Sequence, residues 1–278
     1  MKFSIGLVYY SGMKDCKNCL STIFSQSFTD FEIIFRDQSA NKEAYLYIKK
    51  KYKDEIDAQK IKIFSGKNSF HSGGHNFCIS QMSGENYICA SIDMIYKKDM
   101  LQIFSNILNK KVHYDCFTGK LINDNKTIDS CGIEKTWYWK FYDIGQNQNK
   151  YLHTISKEIF GSSGALFCIR NTSIKKIISE YNYFFDENLH YKNDCELMCR
   201  MQLLNQKTWY DAKIYAIHKR KTSQVSQKSQ FAIQSSIKGQ EIIYNIYKNT
   251  SLMKCWQKPF AWGFMSISGL RKFLYKHL

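Results

Sequence analysis

The chain has one proline, Pro259, in 278 residues. Proline-rich linkers and polyproline segments are therefore excluded, and composition marks no domain boundary. Acidic residues are few beside basic ones. Twenty-four Asp and Glu stand against 40 Lys and Arg, a formal net charge of +16. This excess points to an anionic partner: nucleic acid, anionic lipid or a phosphorylated substrate. Zinc-finger, RRM-like and helix-turn-helix signatures are missing, which removes the usual support for nucleic acid. No apolar run reaches the roughly 20 residues that span a bilayer. No G-x-G-x-x-G follows the first strand pattern, since Gly6 lies inside it, and no G-x-x-x-x-G-K-[ST] occurs. A dinucleotide-binding dehydrogenase and a P-loop nucleotidase are thus disfavoured. Internal repeats are also lacking.

The chain is rich in core-forming residues, 44% hydrophobic and 15% aromatic, which argues against disorder. There are ten cysteines. Met1-Lys2-Phe3 runs straight into a strand pattern with no cleavage site, so the expected state is reduced thiols in a cytosol. Cys16 and Cys19 look like half of a redox or zinc motif. However, Cys16, Cys19, Leu20 and Ile23 fall on one helical face, and no second pair matches their spacing. Core packing is the expected role.

Apolar periodicity alternates along the first half. Strands are expected at 3–8, 32–36, 61–65 and 87–90, and helices at 15–25, 41–52, 76–82 and 98–108. This alternation predicts an α/β fold with a mostly parallel central sheet and helices on both faces. In such sheets ligands bind beyond the carboxyl ends of the strands. Those ends carry Tyr9-Tyr10-Ser11, Asp37-Gln38-Ser39, Asn68 and Ser91-Ile92-Asp93. The carboxylate of Asp93 could cap a helix, hold a metal or organise a phosphate site. Further on come a turn-rich aromatic stretch at 122–160, a strand at 165–170, a helix at 172–180 and an extended segment at 209–217. Leu197, Met201 and Leu204 mark one face of a helix that Asp194 opens, where a carboxylate is also a natural N-cap.

Eight pieces in order carry a resemblance: VYYSG, RDQS (36–39), NSFHSGGHN (68–76), ASID (90–93), DSCGI (129–133), KEIFGSSGALFCIR (157–170), FFDENLHYKNDCELMCR (184–200) and IHKRKTS (217–223). Together they resemble the family 2 glycosyltransferases with the GT-A fold, in particular the rhamnosyltransferase-like branch. The resemblance runs from Phe3 to about Ser223. It implies a GT-A domain over 1–223, with a nucleotide-binding half at about 1–110 and an acceptor-binding half at about 111–223. A basic helical segment, 224–278, follows. The implied activity is inverting, metal-dependent transfer of a sugar from a nucleotide-diphosphate sugar (dTDP-rhamnose or a UDP-hexose) to a hydroxyl of a cell-surface polysaccharide or lipid-linked glycan.

The resemblance also assigns residues. Asp93 and His218 would ligate Mg²⁺ or Mn²⁺, the hard oxygen suiting either ion and the imidazole favouring Mn²⁺. Ser91 stands where many members have a second Asp. Asp194 would be the general base, and Asn193 replaces the Glu that precedes it in the family. Glu196 is expected to brace the helix. Tyr9, Tyr10, Asp37, Asn68, Gly74, Asn76 and Ser91 would contact the nucleotide, with Gly73-Gly74 allowing close backbone approach. The departures at Ser91 and Asn193 leave room for a catalytically silent nucleotide-sugar or glycan binding protein. Nucleic-acid binding is the second alternative.

The end of the chain is a separate feature. From Lys219 onward there are eleven Lys and Arg against one acid, Glu241. Within 254–278 an apolar run, Pro259 to Leu270, lies between basic clusters, and the segment carries Trp256, Trp262 and Tyr275, a pattern suited to the headgroup boundary. The expected location is therefore cytoplasmic, peripheral at the inner face of the cell membrane through 254–278. The sequence leaves homo-oligomerisation open.

Overall fold

The structure is a computed structural model. It describes residues 1–123, 126–219 and 230–274, with side chains to residue 267. In chain order the elements are β1 (Phe3–Tyr9), α1 (Met13–Phe24), β2 (Phe31–Asp37), α2 (Glu43–Lys51), α3 (Lys53–Asp57), β3 (Ile61–Ser65), α4 (Phe70–Ser80), β4 (Asn86–Ala90), β5 (Met94–Tyr96) and α5 (Met100–Lys110). Then follow β6 (Cys116–Ile122), β7 (Ile128–Ser130), β8 (Ile133–Lys135), β9 (Phe141–Asp143), β10 (Lys157–Ile159), β11 (Leu166–Arg170), α6 (Asn171–Tyr181), α7 (Asn193–Leu203), β12 (Thr208–His218), α8 (Gln230–Tyr247) and α9 (Lys258–Leu274). The residues at 220–223 of the expected closing motif, and 275–278 of the expected membrane segment, lie outside the described residues.

The main sheet runs β10-β12-β6-β11-β4-β1-β2-β3, with β5 added to β12 and β7 to β6. The strands β4, β1, β2 and β3 are parallel, whereas β11 inserts antiparallel between β4 and β6. The expected parallel arrangement therefore holds for the first half of the chain, and the second half makes the sheet mixed. Two cores cover its faces. Cys16, Leu20, Ile23, Ile48, Leu101 and Phe104 pack on one side. Cys78, Ile79, Ile177, Leu197, Met198 and Met201 pack on the other. Cys16 and Cys19 are fully buried free thiols, as their helical spacing predicts. Only Cys255 among the ten cysteines is exposed.

One helix differs from expectation. The glycines of NSFHSGGHN lie inside α4, which starts at Phe70 instead of Asn76. Gly74 is buried, and a Cβ there would lie 2.6 Å from a methyl of Val8. Its lack of a side chain lets α4 press against β1, and this packing replaces the expected approach to a nucleotide.

The last two helices form a third core with α7 and the 139–141 segment, built from Trp139, Phe141, Cys199, Ile243, Tyr247 and Ala261. The Gln240 amide donates to the Trp139 carbonyl at 2.7 Å, and the Tyr247 hydroxyl donates to Glu196 Oε1 at 2.8 Å. Glu196 also grips Arg200 one turn along α7, at 2.7 Å, with both side chains 1% exposed. Arg200 in turn donates to the carbonyls of Tyr183 at 3.1 Å and Phe184 at 2.6 Å. Glu196 is thus the brace the sequence predicts, and it ties α7 to the preceding loop and to the C-terminal segment. Breaking one side of a buried ion pair costs about 3–5 kcal/mol, whereas replacing both by apolar groups costs much less. Urea unfolding of Glu196→Gln should show a loss of that order, with Glu196→Leu/Arg200→Leu less affected. A loss under about 1 kcal/mol in the single variant would contradict this role.

Candidate active site

The carboxyl end of β4 leads into a turn at Ser91-Ile92-Asp93 before β5. Helix α5 begins only at Met100, with Asp99 at its N-cap position, so Asp93 is not a helix cap. Ser91 is pinned on both sides: its N–H donates to the Ala165 carbonyl at 2.9 Å, and its carbonyl accepts from the Tyr96 hydroxyl at 2.9 Å. Strand β5 pairs antiparallel with the end of β12, so that Met94 faces His218. The Lys219 N–H extends this ladder to the Asp93 carbonyl at 2.8 Å.

This pairing sets His218 Nε2 3.2 Å from Asp93 Oδ1. The other ring nitrogen, Nδ1, lies 2.8 Å from Asp129 Oδ2. Asp129 reaches the site because β7 pairs with β6, the parallel neighbour of β12. The sequence assigned no role to Asp129, although DSCGI is among the motifs carrying the resemblance. Burial pulls the His218 pKa down, but hydrogen bonds to Asp129 and Asp93, with their charges, more than offset this and raise it to about 9. The donor set suits a divalent cation. Asp93 offers a hard oxygen beside an imidazole nitrogen, and a carboxylate behind that imidazole orients it, as in many metal sites.

Asp93 and Ser91 border a crevice of about 640 Å³ also lined by Tyr10, Gln38, Asn68 and Phe231. A neighbouring cavity of about 250 Å³ shares Ser91 and holds His218, Tyr191 and Asp194. Asp194 sits in the first turn of α7. Its Oδ2 accepts from the Gly164 N–H at 2.9 Å and its Oδ1 from the Cys195 N–H at 2.8 Å. A third cavity, about 440 Å³, also borders Asp194 and is lined by Tyr142, Asp143, Tyr191 and Lys192. Asp194 therefore lines two cavities.

The nucleotide-side residues divide. Tyr10 is exposed on the crevice, and Asn68 lines it with Oδ1 turned to the Phe70 N–H at 2.9 Å. Tyr9 is instead fully buried. Its hydroxyl donates to Glu43, and burial first, then that carboxylate, raises its pKa. It cannot stack on a base from there. Asp37 is also fully buried. Its oxygens accept from the Ser39 N–H and hydroxyl and from the Tyr45 N–H, at 2.6–2.8 Å. It organises the turn into α2, while its neighbour Gln38 faces the crevice. Asn76 latches α4 to the later loop through the Phe185 backbone and Glu187, and Gly74 lies in the helix packing described above. The site thus gathers Tyr10, Asn68, Ser91, Asp93, Asp194 and His218, and leaves Tyr9, Asp37, Gly74 and Asn76 behind its wall.

No family model and no curated protein sequence matches the chain. Solved structures do. Staphylococcus aureus TarS superposes with a TM-score of 0.64 at 16% identity, over 94% of this chain and 42% of TarS. GalNAc-T7, solved with UDP, GalNAc and Mn²⁺, gives 0.66 at 12% identity, over 90% of this chain and 48% of that protein. The mannosyltransferase PcManGT from Pyrobaculum calidifontis, solved with GDP-Man and Mn²⁺, gives 0.62 at 8% identity, over 97% and 75%. This chain spans less than half of the first two. The mixed sheet with flanking helices is the GT-A fold of glycosyltransferases.

The His218 cluster has a definite pH signature in metal-free protein. A histidine whose folded pKa is raised stabilises the fold fully below its unfolded value of about 6.5, and the contribution is lost as pH rises through about 9. Melting temperature should therefore fall between about pH 7 and 10, and the fall should flatten in His218→Gln. A ligating imidazole must give up that proton, so Mn²⁺ affinity should rise over the same range. Calorimetry of Mn²⁺ with UDP checks this. Affinity independent of pH, or unaltered in Asp93→Ala, would remove the pair as ligands.

Proposed function

We propose that the chain is an inverting, metal-dependent glycosyltransferase of the family 2, rhamnosyltransferase-like kind. The observation that carries this reading is the convergence of Asp93 and His218, 3.2 Å apart, at a crevice whose neighbouring cavity presents Asp194. The proposed donor is a nucleotide-diphosphate sugar, dTDP-rhamnose or a UDP-hexose. The UDP-GlcNAc held in a TarS structure, and the nucleotides and Mn²⁺ of the other neighbours, support a donor and a cation of this type. Residues 1–223 would form the transferase domain, with nucleotide-binding and acceptor-binding halves dividing near residue 110, and 224–278 its C-terminal segment.

The chemistry follows from the residues. The nucleotide would lie along Tyr10, Gln38 and Asn68, and its diphosphate beside Asp93 and His218. A divalent cation held there, Mg²⁺ or Mn²⁺, supplies positive charge to the diphosphate. The acceptor hydroxyl would approach from the side of Tyr142 and Tyr191. As its oxygen bonds to the anomeric carbon, the carbon–oxygen bond to the diphosphate breaks, and Asp194 takes the hydroxyl proton. Attack opposite the leaving group inverts the anomeric centre. The nucleoside diphosphate departs with the bonding electrons.

Turnover of a nucleotide sugar by Asp194→Asn tests the base. Donor affinity should be retained while turnover falls about 10²–10⁴-fold, the usual range for losing a general base. Near-normal turnover would exclude Asp194, and absence of any donor binding by the wild-type chain would exclude the whole reading.

The acceptor we propose is a lipid-linked or cell-surface glycan met at the inner face of the membrane. No described helix is long and apolar enough to cross a bilayer. Helix α9 turns Ala261 and Met265 inward, while Phe260 and Trp262 are exposed on either flank of Ala261. Trp137 joins the Phe260 flank, stacked on Trp256 at 5.9 Å and edge-on to Phe260 at 4.8 Å. Lys254 and Lys258 flank this aromatic patch. Each Lys or Arg near an anionic leaflet gains about 1 kcal/mol. Flotation with anionic vesicles should therefore be salt-sensitive, and lost in Trp256→Ser/Trp262→Ser. Equal flotation by variant and wild type, or none at low salt, would refute membrane contact.

A further inference from the structure

We infer that His71 and Asn193 are positioning residues that fix the carboxylate of Asp194 through a closed ring of four hydrogen bonds. The inference rests on the reading of Asp194 as the base. The Asn193 amide donates to His71 Nδ1 at 3.0 Å. His71 Nε2 meets the Gly164 carbonyl at 3.2 Å. The Gly164 N–H donates to Asp194 Oδ2 at 2.9 Å. The Asp194 N–H closes the ring on Asn193 Oδ1 at 2.9 Å.

The direction of every bond in this ring is fixed by its backbone groups and by Ser72. The Ser72 hydroxyl gives its proton to the Leu189 carbonyl at 3.1 Å, so it can only accept from the Asn193 amide, at 2.9 Å. The Asp194 backbone N–H can only donate, so the Asn193 oxygen must face it. The amide is thus oriented twice over, and it presents N–H to His71. Nδ1 must then be unprotonated, and Nε2 carries the hydrogen given to Gly164. Burial holds His71 below its ordinary pKa, against the pull of Asp194 and the Gly164 bond, which agrees with this neutral form. The His71 imidazole and the Asn193 amide each accept at one end and donate at the other of a single conjugated group, so the bonds on either side of each strengthen one another.

The ring accounts for the departure at 193. A carboxylate there has no N–H to give to both His71 and Ser72. Asn193 and His71 are a matched pair, from the first turn of α7 and from α4. His71, His75 and Cys89 also have ligand atoms within 4.8 Å of one another, a set that suits a soft divalent ion. A metal on His71 Nε2 would displace the hydrogen bonded to Gly164 and, in the neutral imidazole, move it to Nδ1, where the Asn193 amide already presents N–H, so the amide orientation opposes that.

Steady-state kinetics on the full chain test the ring. His71→Ala and Asn193→Ala should each lower kcat about 10–100-fold, the scale of a misplaced reacting group. Donor KM should change less than about threefold. His71→Gln, which can still donate to Gly164, should recover most of the loss. In an Asp194→Asn background, His71→Ala should have no further effect, because both act through one carboxylate. Additive losses there would overturn the proposal, as would zinc in the wild-type chain that His71→Gln releases. The imidazole ¹⁵N spectrum gives a readout free of turnover. His71 in the Nε2–H form supports the ring, and the Nδ1–H form overturns it. A chain that transfers no sugar yet shows the Nε2–H form would refute the transferase reading and leave the ring standing.

Discussion

The antiparallel pairing of β5 with the end of β12 is the contact on which the candidate site depends. Strand β5 is only three residues long, yet it joins two distant parts of the chain. On one side of the junction is the turn that presents Asp93. On the other is His218, the last residue of an eleven-residue strand. Because β12 also runs beside β6, the β7 edge brings Asp129 in behind the imidazole. One short ladder therefore aligns two carboxylates on opposite nitrogens of one ring. The two carboxylates together hold the imidazole's proton well above its ordinary pKa, and that positive charge compensates theirs.

Helix α7 has the corresponding role for Asp194. Its first turn carries the carboxylate, its middle carries the buried Glu196–Arg200 pair, and its outer face packs under α8. The same helix thus borders the cavity lined by Tyr142 and Tyr191 and packs inward on the C-terminal segment. A carboxylate that must hold its direction is better placed on an element fixed at several points than on a loop.

Much of this architecture was legible in the sequence. Apolar runs located the first four strands because β1, β2 and β4 are buried on both faces, the edge strand β3 is partly buried, and all are bounded by polar turns. Asp93, His218 and Asp194 were singled out through the order of motifs, and each lies at or beside the end of a regular element, around adjoining cavities. Asp129 was missed because its role arises from pairing between β6 and β7 and from contact with a residue 89 positions away. Tyr9 was misread although strand parity carried the answer. It shares a face with Phe3, Ile5 and Leu7, all in one core, while Tyr10 follows the end of the strand. Helix α4 was expected too late because two adjacent glycines weaken helical propensity, and packing against β1 overrides that preference here.

The solitary exposure of Cys255 has a practical consequence. Nine buried thiols are sheltered from a bulky electrophile in the native state, and Cys255 is open. It lies next to Trp256, in the turn that leads into α9. The native chain therefore carries its own attachment point for a single fluorophore or spin label, with no cysteine to remove. A label there would sit at the margin of the aromatic surface, where its emission or mobility reports what that surface touches.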